Sequence, residues 1–134
     1  MRLTVHVDGG SRGNPGPAAI AAVISDEHGE VINEAAETIG RATNNVAEYR
    51  ALLLGIERAK QLGATELDLV GDSELIVKQV RGEYRVKDAG LRPLHSAAQR
   101  ALGEFSEWSL RHVRRDQNAE ADALVNQALD AEAL

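Results

Sequence analysis

A chain of 134 residues is the size of one ordinary domain and is long enough to bury a core without covalent staples. It has no cysteine, which excludes disulfides, thiolate zinc sites and cysteine nucleophiles, and its longest uncharged run, residues 13–25, is too short for a membrane helix. Fifteen basic against 21 acidic residues give a net charge of −6, which on its face counts against a nucleic-acid partner.

Leu3, Val5 and Val7 alternate with Thr4, His6 and Asp8, which predicts a first strand over residues 2–8. No apolar signal core precedes Asp8, so a reduced, cytoplasmic setting is expected. A glycine-rich loop over residues 9–17 leads to two strands, 18–25 and 30–39, joined by the turn Asp26-Glu27-His28-Gly29. After Thr43-Asn44-Asn45 comes a helix to about Leu62, closed by Gly63. Residues 65–70 read as a buried strand and 73–80 as a helix ending at Gly82. Helix 91–105, strand 108–113 and a last helix from Asn118 to about Ala131 complete the order βββαβααβα, a mixed sheet with helices around it. Along the way the cations gather in two places. Lys78, Arg81, Arg85, Lys87 and Arg92 lie beside only Glu83 and Asp88, and Arg111, Arg114 and Arg115 have no acid among them. An acidic body with two basic patches stays compatible with a polyanion, although two solvated charged faces explain the same pattern.

Four acids do not fit a purely structural account. Asp8 ends the first strand and Asp72 the fourth. If those strands are parallel neighbours, their C-terminal ends meet at a switch point, where open α/β sheets place ligands. Taken singly, Asp72 also reads as a helix N-cap and Asp8 as a turn residue. Glu48 completes the capping-box pattern Asn45-Val46-Ala47-Glu48, yet it shares a helix face with Leu52, Ile56 and Ala59. Asp122 lies inside the last helix on the stripe of Val125 and Leu129, where a charge is costly unless a cation compensates. Carboxylates brought together from four elements repel one another, so a divalent metal is the economical explanation. All-oxygen ligation favours Mg²⁺ or Mn²⁺ over zinc. The loop spacing Gly10-x-x-Gly13-x-x-Gly16 is neither a dinucleotide fingerprint nor a P-loop, so no organic cofactor is expected.

The runs Asp8-Gly9-Gly10-Ser11-x-Gly13-Asn14-Pro15-Gly16, Thr43-Asn44-Asn45-x-Ala47-Glu48, Asp72-Ser73 and Asn118-x-x-Ala121-Asp122 closely resemble the type 1 ribonuclease H family, in its element order and over essentially the whole chain. The resemblance implies a ribonuclease H-like α/β fold, a five-stranded mixed sheet of order 3-2-1-4-5 flanked by helices. It implies an endonuclease that hydrolyses the RNA strand of RNA–DNA hybrids, leaving 5′-phosphate and 3′-hydroxyl ends. Two divalent metals, Mg²⁺ or Mn²⁺ in its place, would sit on Asp8, Glu48, Asp72 and Asp122, with Asp8 the most critical ligand. Gly9, Gly10, Ser11, Asn14, Asn44 and Asn45 would line the minor groove and read the 2′-hydroxyl. Their alternative duties are loop and cap roles, Asn45 as N-cap included.

The chain departs from many relatives in two ways. The segment from Val80 to Leu94 is short, with Tyr84 its one aromatic residue, so the chain resembles the compact variety without a basic handle. The residue that assists leaving-group departure or metal exchange, a histidine in many relatives, is expected to be Arg115, with His112 the alternative. Residues 1–134 are expected to form a single ribonuclease H domain and a monomer, or the first domain of a longer fusion with the Ala-rich stretch Ala128–Leu134 as linker. A non-catalytic hybrid-binding module and another two-metal nuclease, a resolvase or proofreading exonuclease, are the competing readings.

Overall fold

The computed structural model describes residues 1–133. Strands β1 (Arg2–Ser11), β2 (Gly16–Ser25) and β3 (Val31–Ala42) precede helix α1 (Asn44–Gln61). Strand β4 (Glu66–Gly71), helices α2 (Glu74–Val80) and α3 (Arg92–Leu102), strand β5 (Glu107–His112) and helix α4 (Ala119–Ala133) follow, with one 3₁₀ turn at Arg115–Gln117 before α4. The five strands form one sheet in the order β3-β2-β1-β4-β5, the order that the family resemblance implies. Strands β1, β2 and β3 run antiparallel in hairpin succession, while β1–β4 and β4–β5 are parallel.

Two layers cover the sheet unequally. On one face α1, α2 and α3 close the main core. Leu3, Val5 and Val7 of β1 pack there with Leu52 and Ile56 of α1, Leu67 and Leu69 of β4 and Leu102 of α3. Each such side chain removed from water contributes about 1.5–3 kcal/mol. On the other face α4 lays Val125 and Leu129 over Ala19 and Ala21 of β2, small residues that let the helix sit close. The salt bridge Arg12–Asp130, 2.6 Å, ties the β1–β2 loop to the far end of α4.

The structure moves several expected boundaries. Residues 9–11, expected as loop, belong to β1 and pair with Ile20, Ala19 and Ala18. Two glycines there give no alternation of side chains to read, although the backbone is fully extended. Strand β3 runs on to Ala42, and α3 stops at Leu102, where Gly103 is the C-cap. The N-cap of α1 is Thr43, whose hydroxyl accepts the Val46 N–H at 3.2 Å, and not Asn45. Ser73 performs the same duty for α2, so Asp72 is not a cap. Residues 128–133, read as a linker candidate, continue α4, and Leu129 among them is buried; Leu134 lies outside the described residues. No described helix is long and apolar enough to cross a membrane.

Candidate active site

The site is built where the pairing between β1 and β4 ends. Their parallel register closes at His6–Val70, so Asp8, still inside β1, and Asp72, just past the end of β4, each lie two residues further on. The helix α1 supplies the third carboxylate. Glu48 lies on the buried face that also carries Leu52, Ile56 and Ala59, and its Oε1 accepts the Gly9 N–H at 2.6 Å. The capping-box role is therefore not what Glu48 performs; its carboxylate reaches across to β1. Gly9 permits that approach, because a Cβ at this position would collide with the Ala47 carbonyl.

Asp8, Glu48 and Asp72 each offer an oxygen within 4.8 Å of the other two. Asp8 and Glu48 are 7% and 8% exposed, which is unusual for carboxylates without a cationic partner. Asp122, half-buried on α4, stands beside Asp8 within hydrogen-bonding reach of it. The fourth acid thus flanks the three-oxygen cluster rather than joining it. The crowding has an electrostatic consequence. Burial, then the charges of Asp72 and Asp122, push the Asp8 carboxyl up to about 7. Burial and the charge of Asp8 likewise raise Glu48 well above the usual carboxylate range, and the Gly9 N–H only partly offsets this. A hard divalent cation fits this donor set: oxygens alone, anionic, convergent and partly desolvated.

The cleft over these acids has a volume of about 270 Å³ and is also lined by Gly9, Gly10, Ser11, Asn44 and Arg115. Asn14 and Asn45 line a neighbouring hollow of about 390 Å³ together with Thr43 and Leu91. The two hollows are coupled through backbone. Asn44 accepts the Ser11 N–H with its side chain at 3.4 Å and donates its own N–H to the Asn14 side chain at 3.0 Å. Arg115 stands in the 3₁₀ turn at the cleft's edge, whereas His112 ends β5 opposite Gly71 and is not among the residues lining the cleft.

One side chain beside the site has no site role assigned from the sequence. Asn118 is 2% exposed; its Nδ2 donates to the Val7 carbonyl at 2.8 Å and to Asp72 Oδ2 at 3.4 Å. Its presence in the run Asn118-x-x-Ala121-Asp122 was the available signal, but neither partner is visible from spacing.

Comparison with known proteins agrees with this architecture. A family model described as "Reverse transcriptase-like" matches residues 6–128. The ribonuclease HI of Halobacterium salinarum is 46% identical over 96% of this chain. The crystal structure titled RNase H1 from the same archaeon superimposes with a TM-score of 0.96, covering 98% of this chain and 99% of that one at 45% identity. The chain belongs to the type 1 ribonuclease H family. A structure of LC11-RNase H1, titled as a complex with RNA/DNA hybrid, matches this ribonuclease H-family chain with a TM-score of 0.94 at 39% identity, covering 98% of this chain and 99% of that one. A bifunctional protein of Mycobacterium tuberculosis is 46% identical over 99% of this chain. The family match is to part of longer proteins in two cases: the chain spans 65% of the length of the Halobacterium protein and 37% of the mycobacterial one.

Proposed function

We propose that this chain is a metal-dependent endoribonuclease that hydrolyses the RNA strand of RNA–DNA hybrids. The observation that carries the reading is the cluster of Asp8, Glu48 and Asp72, two of them buried, with oxygens within 4.8 Å of one another and Asp122 at its edge. Acids held this close without a cation would be a standing cost, and family membership supplies the reaction class. Asp8, Glu48, Asp72 and Asp122 would hold two divalent ions when substrate is bound, Mg²⁺ with Mn²⁺ as substitute. Such ions supply Lewis-acid stabilisation of phosphoryl charge and a water of lowered pKa.

The chain's own residues do the rest. The Gly9–Ser11 backbone, free of bulky side chains, lets a ribose–phosphate strand lie against β1. Asn14, Asn44 and Asn45 offer amide groups to the minor groove, where the 2′-hydroxyl distinguishes RNA from DNA. Arg115 places a permanent positive charge at the cleft's edge, suited to the charge that develops on the leaving 3′ oxygen. The products are a 5′-phosphate and a 3′-hydroxyl, and residues 1–134 act as one catalytic domain. The test is cleavage of end-labelled RNA–DNA hybrid, DNA duplex and RNA duplex, each with Mg²⁺, Mn²⁺ or EDTA. Internal cuts confined to the hybrid's RNA strand and abolished by EDTA support the reading. Binding of hybrid without cleavage under either metal overturns it in favour of a non-catalytic module.

A further inference from the structure

We infer that Asn118 is a positioning residue that holds the carboxylate set in register, an inference that rests on the metal-binding reading of that set. Asn118 bonds to Asp72 and Asp122 and to the residue before Asp8. The Nδ2 donor reaches the carbonyl of Val7, the residue before Asp8 and one position past the last β1–β4 pair. The same nitrogen reaches Asp72 Oδ2, and among the described residues no other side chain donates to the Asp72 carboxylate. The Asn118 carbonyl accepts the Asp122 N–H at 3.1 Å, so the first turn of α4 hangs from the same residue. One buried residue, by its side-chain amide and its backbone carbonyl, therefore links β1 beside Asp8, the end of β4 and the start of α4.

The orientation of that amide is fixed by chemistry. Turned over, its oxygen would face the Val7 carbonyl and the Asp72 carboxylate, two acceptors that give it nothing to accept. As it stands, Asn118 Oδ1 is buried with no partner among the described residues. An asparagine just before a helix ordinarily spends its oxygen on an N–H of the first turn. Here that oxygen is left unsatisfied while the nitrogen serves the site, an arrangement that costs stability and is explained by what the donor orients. Without it, Asp72 is free to rotate away from Asp8, whose charge repels it, and the pre-set cluster of oxygens is lost.

The test is calorimetric titration of the chain with Mn²⁺, without nucleic acid, alongside thermal unfolding. Two variants remove the donor: Asn118→Ala, and Asn118→Leu, which keeps the volume. A control, Gln99→Ala, removes a similar amide donor, the 2.7 Å bond from Gln99 Nε2 to the Val80 carbonyl on α2, away from the acids. The expected result is Mn²⁺ binding weakened about tenfold or more in either Asn118 variant that folds. Gln99→Ala should lose melting temperature but bind Mn²⁺ as the unaltered chain does. Unaltered Mn²⁺ affinity in a folded Asn118 variant, with the parent chain binding normally, overturns this inference and leaves the metal reading standing. Failure of the parent chain itself to bind Mn²⁺ overturns both.

Discussion

Asp8 concentrates the electrostatic tension of the molecule. Its carboxyl is raised to about 7 from an ordinary 3.8, chiefly by burial and then by Asp72 and Asp122. A group whose folded pKa is raised in this direction costs nothing below its unfolded pKa, where both states are protonated. The cost appears as pH climbs from about 4 to 7 and stays constant above. The metal-free protein should therefore lose stability across that window, and Asp8→Asn should remove most of the loss. At pH 8 the variant should be more stable than the parent by on the order of 2 kcal/mol, measured by urea unfolding in EDTA, while losing cleavage altogether. Full activity in Asp8→Asn would sink the metal assignment. Mg²⁺ should raise the melting temperature of the parent more at pH 8 than at pH 5, because protons compete for the same oxygens. Arg115→Ala should lower kcat about tenfold, roughly 1.4 kcal/mol, and more than His112→Ala does, since Arg115 lines the cleft and His112 does not. The reverse order would transfer the role to His112.

Elements decide where those residues meet, and they were legible to different degrees. Asp8 and Asp72 could be paired from sequence because each ends an alternating or buried run, and parallel strands bring such ends together. Glu48 was legible as an acid on an apolar stripe. The caps were not. Thr43, Asn44 and Asn45 can all cap, as can Asp72 and Ser73, and only the backbone shows that Thr43 and Ser73 perform it. Asn118 stayed hidden for a related reason: its partners, Val7 and Asp72, lie 111 and 46 residues away, and one of them is a backbone carbonyl. The close approach of β1 and α1 at Gly9 yields a further expectation. Gly9→Ala must push β1 from the Ala47 carbonyl and strain the Gly9–Glu48 hydrogen bond. It should destabilise the fold by about 2–3 kcal/mol in urea unfolding, with loss of cleavage out of proportion to that change.

At the scale of the whole molecule, the net charge of −6 conceals how the cations are spent. In the basic segment that begins within α2, Arg81 pairs with Glu83 at 2.8 Å and Lys78 with Glu74 at 2.9 Å. Arg92 donates to the carbonyls of Val86 and Lys87. Arg85 and Lys87 form no ion pair among the described residues and are exposed. If the segment holds phosphates, those two residues are its available charges. Arg85→Ala and Lys87→Ala should weaken hybrid binding uniformly across sequences and lower the slope of log affinity against log salt by about 1 each. Arg81→Ala should change that slope less. Titration of hybrid by fluorescence anisotropy at several salt concentrations measures both.

The bond between Asn118 and Val7 also sets a clock. Its partners are 111 residues apart, at opposite ends of the described fold. At a synthesis rate of about 5–20 residues per second, roughly 6–20 s pass between their appearances on the ribosome. Asp8 emerges at the start of that interval, whereas Asn118 and Asp122, which complete its surroundings, emerge at the end of it. Throughout that interval a nascent chain carries an unfinished set of acids, which is completed only once α4 has docked.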